Sequence, residues 1–203
     1  ATILSSTSLI EQYLFRHDFS IESIREKSDK QLGRIKVSVG NLISILNDFL
    51  SLDKLEQAEV VIKPILVGIV KFSKELIEEM KPLLKKAQVI EYSYKGDEKD
   101  EVFIDKQMFR NVIFNLLSNA SKYSAEGSSI EFHTVTAPGG IEVSITDHGI
   151  GIPENEKKHL FERFFRAKNA LDVPGTGLGL NNIKRSLSLM GGGITFETKE
   201  GEG

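Results

Sequence analysis

The chain has 203 residues, 40% of them hydrophobic and 27% charged, a size and balance that suit one large soluble domain or two small ones. A formal net charge of −3 gives no electrostatic case for nucleic acid or an anionic membrane as the main partner. The absence of cysteine removes disulfides, thiolate nucleophiles and cysteine-rich zinc sites, and fits a cytoplasmic location. No apolar run approaches the roughly 18 residues of a membrane span, so no direct membrane contact is expected of these residues; a longer, membrane-anchored parent stays open.

In chain order, the first predicted element is an amphipathic helix with Ile3, Leu4, Leu9, Ile10, Tyr13 and Leu14 on one face. A polar stretch, RHDFSIESIREKSDK, suits a turn. A second helix from about Ser23 to Glu56 then carries Leu32, Ile35, Val39, Leu42, Leu46 and Phe49 at steps of three and four. Ile43, Ile45, Leu50 and Leu52 widen that face, as expected of a helix buried in a bundle. At about 1.5 Å per residue the second arm would run about 50 Å, and the first about half of that. The reading is a helical hairpin over 1–57, truncated at its N-terminus, then a linker over 58–65.

From residue 66 to 203 the pattern changes to α+β. The spacing predicts a helix from Val67 to Lys86 kinked at Pro82, strands at Val89–Ser93 and Val102–Ile104, and a strong helix from Lys106 to Tyr123. A hairpin pairs Ser129–Thr136 with Gly140–Thr146 through APGG, a short helix lies near Glu154–Phe161, and a last helix runs from about Leu178 to Met190. ITFET, Ile194 to Thr198, alternates like a strand, with its hairpin partner expected beyond the chain's end. Helices gathered on one face of a mixed sheet make an α/β sandwich.

Four local patterns carry chemistry. In NVIFNLLSNASKY, Asn115 and Asn119 share a helix face, with Lys122 and Tyr123 at its end. Two amide oxygens can help hold a hydrated Mg²⁺ and Lys122 can meet a phosphate, although two asparagines bridging backbone explain the motif equally well. In TDHGIGI, Asp147 followed by Gly149, Gly151 and Ile152 makes a turn with room for a flat ligand. That carboxylate can accept from the exocyclic amine of adenine and would repel guanine's carbonyl oxygen; the plain alternative is an Asp–Gly turn. In FERFFRA, Phe164 and Arg166 can close over a nucleotide, with the guanidinium reaching its terminal phosphate, or belong to a partly buried helix with solvated arginines. In PGTGLGL, Gly175, Thr176, Gly177, Leu178, Gly179 and Leu180 lead into a helix and suit a phosphate. This run is not a P-loop, since Gly-Lys-Ser/Thr is missing, nor a Rossmann fingerprint, since no strand directly precedes it.

In this order the four motifs resemble the N, G1, F and G2 boxes of the sensor histidine kinases, whose nucleotide domain shares the Bergerat fold with gyrase, Hsp90 and MutL. The hairpin ending NLISILNDFLSLDKLEQ is similar to the dimerisation and histidine-phosphotransfer domain of that family, so the resemblance covers nearly the whole chain. It implies ATP as ligand, Mg²⁺ at Asn115 and Asn119, adenine recognition by Asp147, and an ATP lid over 166–178. The glycines would then clear space for a triphosphate.

The gyrase-like relatives use a glutamate one turn before the first asparagine, where this chain has Asn111. No Asp or Glu occurs from Lys106 to Ser121, so this helix offers no general base for water. The resemblance therefore implies transfer of the γ-phosphoryl to a bundle histidine and then to an aspartate of a response-regulator receiver domain, in a homodimer built on the hairpin. His17–Asp18 is a poor match for the phosphoacceptor because no proline comes after it and the pair lies in the polar turn. Residues 1–14 resemble the stretch directly after the acceptor motif in relatives, so the acceptor is expected upstream of Ala1, and this chain is expected to bind nucleotide without autophosphorylating. The rival is a pseudokinase, an ATP-binding interaction module that signals through lid closure without transfer.

Overall fold

The computed structural model describes residues 2–15, 20–35, 38–39, 61–97, 99–137 and 139–203. Chain contacts divide it into two units, 1–50 and 51–203. In the first, helix α1 spans Thr2–Phe15 and α2 spans 21–35. Ser20 starts α2 by accepting the Ser23 amide on its hydroxyl at 3.2 Å, an N-cap that trims the polar turn. Lys27 lies 5.7 Å from the centre of the Tyr13 ring, which brings the two helices together. Leu4, Leu14, Phe15, Ile21, Leu32 and Val39 nevertheless stay exposed. Residues 36–37 and 40–56 of the predicted second helix lie outside the described residues, as does His17.

The second unit begins with strand β1, Ile65–Gly68, which runs into helix α3, Ile69–Met80. Two sequence expectations change here. The predicted helix loses its first residues to β1, because Ile65 to Gly68 pair antiparallel with strand β3, Glu101–Ile104. Pro82 does not kink a longer helix; it sits in a 3₁₀ turn, Lys81–Leu83, directly after α3, where the missing N–H costs nothing.

Strand β2, Val89–Lys95, pairs in parallel with β4, Ser129–Ala137, which pairs antiparallel with β5, Gly140–Thr146. A parallel pair needs a crossover, and helix α4, Lys106–Tyr123, lies in that connection. Its start is fixed by Asp105, whose carboxylate accepts from the Met108 amide at 2.9 Å. On β4 the alternate residues Ile130, Phe132 and Thr134 are buried, so one sheet face is covered. They meet Phe109, Val112, Ile113, Leu117 and Ala120 of α4, Phe72, Leu76 and Met80 of α3, and Ile183 of helix α5, Gly179–Leu189. Phe72 stacks on Phe109 with ring centres 5.3 Å apart. The architecture is therefore α+β, with helices on one face of a mixed sheet. Residues 194–198 form no ladder with either sheet, so the predicted strand is an irregular segment held by side chains such as Thr198, which accepts from the Ile152 amide.

Candidate nucleotide site

Helix α4 turns its apolar stripe inward, and the remaining face carries the asparagines. Asn115 and Asn119 stand one turn apart, and the Asn119 amide donates to the Asn115 carbonyl oxygen at 3.2 Å. At the end of the helix the Lys122 ammonium lies 5.0 Å from the centre of the Tyr123 ring. Burial raises the Tyr123 phenol above its ordinary value, and the positive charge of Arg166 works against that rise, which places Arg166 near this end of α4.

The segment after β5 folds back on the same end. Asp147 accepts from the Gly149 amide at 2.9 Å and from the Ser124 hydroxyl at 3.4 Å, so its carboxylate is oriented by its own turn and by the residue capping α4. The Ile150 amide donates to the Tyr123 carbonyl. Gly149 has to be glycine: a Cβ there would stand 2.7 Å from both the Tyr123 carbonyl oxygen and the Asp147 carboxylate. Ile152 donates its amide to Thr198 at 3.1 Å.

The aromatic–arginine stretch and the glycine loop form the opposite wall. Phe164 adopts a left-handed φ of 63°, is 68% exposed, and donates its amide to the Gly177 carbonyl at 3.0 Å. Gly177, with φ 73°, passes so close that a Cβ would lie 2.6 Å from the Phe164 carbonyl carbon. The glycines at 175 and 179 bring the loop onto α4: a Cβ at Gly175 would be 2.7 Å from the Lys122 ammonium, and one at Gly179 would be 2.9 Å from the Asn115 amide oxygen. The missing side chains let the loop lie against the two side chains assigned to cation and phosphate.

Arg166, expected to reach a phosphate, donates to the carbonyls of Ala170 at 2.6 Å, Leu171 at 2.9 Å and Val173, coiling the segment 166–173 around its guanidinium. Leu178 is buried, and Leu180 packs against the core. Thr176 accepts from the Leu178 amide. Sequence reasoning missed Ser124 behind Asp147, and Asn169, which donates to the carbonyls of Ile150 and Gly151. It also missed Glu156, a buried carboxylate that accepts from the Lys168 amide at 2.9 Å and ties the root of the loop to the 3₁₀ turn Glu154–His159. None of these lies in a spacing pattern that would mark it.

Among the described residues, no group of three or more His, Cys, Asp or Glu is arranged around a metal ion, and no helix is long and apolar enough to cross a membrane. The donor set at the site is two neutral amides with an ammonium beside them. That fits a cation that keeps several waters and bridges to phosphate, as Mg²⁺ does.

Comparison with known proteins gives the same picture. Residues 104–203 match the family described as histidine kinase-, DNA gyrase B-, and HSP90-like ATPase. Sensor histidine kinase WalK of Bacillus subtilis is 32% identical over 167 residues, 80% of this chain and 27% of its own length. The solved structure of the mycobacterial sensor histidine kinase MprB superposes with a TM-score of 0.53 at 28% identity, over 64% of this chain and 81% of that one. The histidine kinase AdeS of Acinetobacter baumannii shares the fold over 98% of this chain and 91% of its own, with a TM-score of 0.66 at 18% identity. The chain spans less than half the length of curated relatives such as WalK, SasA and BarA. Residues 104–203 belong to that ATPase family, and the chain as a whole is similar to sensor histidine kinases.

Proposed function

We propose that this chain is the phosphotransfer core of a two-component sensor. It binds Mg-ATP between α4 and the glycine loop and directs the γ-phosphoryl to a bundle histidine that is not among residues 1–203, from which an aspartate of a response-regulator receiver domain takes it. The observation that carries this reading is the approach of Gly175 to Lys122 and of Gly179 to Asn115, which joins two motifs some 60 residues apart in sequence into one site beside Asp147.

In this site Asp147 accepts from the adenine amine, with its second oxygen steadied by Gly149 and Ser124. Asn115 and Asn119 hold Mg²⁺, which when bound neutralises phosphate charge, and Lys122 meets the phosphates as a point charge. Hydrolysis is disfavoured because the position where a base would stand is Asn111, whose carbonyl oxygen accepts from Gln107 at 3.1 Å. Transfer to an imidazole needs positioning and charge neutralisation instead.

The acceptor in this reading is not one of the histidines of the ATP-binding unit. His133 is bonded to Ser93 and Glu131, His148 faces Glu131 at 3.7 Å, and His159 is paired with Glu162 at 2.8 Å. The exposed apolar side chains of α1 and α2 support pairing of two hairpins into a four-helix bundle, hence a homodimer.

The test is nucleotide binding and then phosphate mapping. Residues 1–203 should bind ATP in the presence of Mg²⁺, and Asp147→Asn should weaken ATP about 10- to 100-fold, the range for a lost hydrogen bond to a charged group. A longer product of the gene should acquire acid-labile phosphate on a histidine outside residues 1–203. Phosphate on His17, His133, His148 or His159 would overturn the assignment, and ATP binding with no phosphohistidine in the longer protein would favour a module that signals through binding alone.

A further inference from the structure

Every α-helix ends with four carbonyls that have no partner inside it, and at α4 they belong to residues 120 to 123, the turn that carries Lys122 and Tyr123. The cap residue Ser124 is extended, with φ −92° and ψ 162°, so no left-handed glycine closes this end. The partners come from elsewhere. Ser124 donates its own amide to the Ala120 carbonyl, and Ile150 donates to Tyr123. The other two carbonyls are taken by side chains from the corner between α3 and β2. Gln88 donates to Ser121 at 3.1 Å and to Ala125 at 2.8 Å, and the Lys85 ammonium donates to Lys122 at 2.8 Å and to Ser124 at 2.6 Å.

Gln88 is only 6% exposed and is bonded on both sides of its amide. Its oxygen accepts from the Ser121 hydroxyl at 2.7 Å and from the Lys85 amide at 2.9 Å, which locks the two clasp residues to each other. The preceding Ala87 holds a left-handed φ of 59°, a conformation unfavourable for alanine that turns the chain at this corner. The Lys85 charge also faces the negative end of the α4 dipole.

We propose that Lys85 and Gln88 are positioning residues of the nucleotide site: they fix the last turn of α4 and, through Ser124, the carboxylate that selects the base. Neither touches the ligand. The proposal rests on the reading of Asp147 as the adenine contact, because Ser124 is the link between the clasp and that carboxylate.

The experiment compares ATP and GTP affinity, each with Mg²⁺, for Gln88→Met, Lys85→Met, Lys85→Arg and Asp147→Asn in residues 1–203, alongside the melting temperature without nucleotide. Gln88→Met removes the hydrogen bonds at similar volume and is expected to weaken ATP about tenfold while leaving GTP nearly unchanged, so that the preference for ATP falls. Lys85→Met should do the same about threefold, and Lys85→Arg, which can still donate to both carbonyls, should restore it. A clasp that merely supports the fold would lower melting temperature and both affinities together, leaving the preference intact, and that result overturns the proposal. Should Gln88→Met fail to fold, the exposed Lys85 pair decides alone. A preference that falls in Asp147→Asn but in neither methionine variant overturns the clasp only. A preference untouched in Asp147→Asn removes the base-selecting role and the proposal with it.

Discussion

The two walls of the nucleotide site are built on opposite principles. The asparagine helix α4 is regular from its Asp105 cap to Tyr123 and is pinned by a buried stripe, with Leu117 fully buried between Asn115 and Asn119. The glycine loop from 166 to 178 has almost no regular structure beyond the short turn Lys168–Ala170, and its shape depends on one guanidinium and on backbone positions that exclude side chains. One wall is held by packing over many atoms, the other by a few polar contacts. A fixed wall can present a cation and a base reader in set geometry, while a loosely held wall can move when a substrate enters.

The sharpest way to break the contrast is in the packed wall. Leu117→Ala should destabilise the unit by about 2–5 kcal/mol, because a fully buried leucine leaves a cavity among Phe132, Ile113 and their neighbours. Chemical denaturation measures this directly, and a loss below about 1 kcal/mol would mean that α4 is not the rigid side.

In the loop the same scale of energy should appear as lost function rather than lost fold. Gly177→Ala meets both a left-handed φ of 73° and a Cβ 2.6 Å from Phe164, a strain of about 2 kcal/mol or more. The loop can relieve it by moving, so ATP affinity should drop more than about tenfold while the melting temperature falls by only a few degrees. Equal damage to both would make the two walls one cooperative unit. Arg166→Met should have a smaller, local effect, releasing the carbonyls of Ala170, Leu171 and Val173. Limited proteolysis should then cut between 166 and 178 several times faster, and an unchanged cutting rate would return Arg166 to the role of a pure phosphate contact.

The legibility of the sequence divides along the same line. Helix α4 was legible because a stripe with helical period marks it, and the β4–β5 hairpin because alternation flanks the turn residues APGG. Strand β1 was not, since ILVG is a four-residue apolar run without alternation, and such runs read as readily as the start of a helix. The strand reading of residues 194–198 failed for a related reason: alternation gives a segment two faces, but only a neighbouring ladder makes it a strand. At the site, Asp147 and the asparagines stood out as a pattern, whereas Gln88 and Asn169 act through carbonyls contributed by distant turns, which leave no trace in the sequence, and Ser124 acts through one hydroxyl that only the fold brings to Asp147. The glycine run was legible as a motif, but its placement against Lys122 and Asn115 of α4 was not, because that contact depends on the fold.

The smallest effect lies at the other end of α4, where a helix terminus is closed by its own aspartate instead of by distant side chains. Burial pushes the Asp105 carboxyl up, but amide donors from Lys63, Met108 and Gln107 outweigh it and hold it below its ordinary value of 3.8. A carboxyl depressed in the folded state contributes stability that is present above its unfolded value and lost as pH falls through the folded one. The contribution should therefore be constant near neutral pH and fade only below about pH 4. Asp105→Ala should cost about 1 kcal/mol at about pH 7, the usual worth of an N-cap, and the gap to the natural protein should close in acid. Asp105→Asn, whose single side-chain oxygen can replace only one of the two carboxylate oxygens bonded by Lys63 and Met108, should fall between the natural protein and Asp105→Ala at neutral pH and lack the acid-dependent loss. A gap between Asp105→Ala and the natural protein that persisted unchanged to about pH 3 would mean that the charged, amide-bonded carboxylate is not what starts the helix.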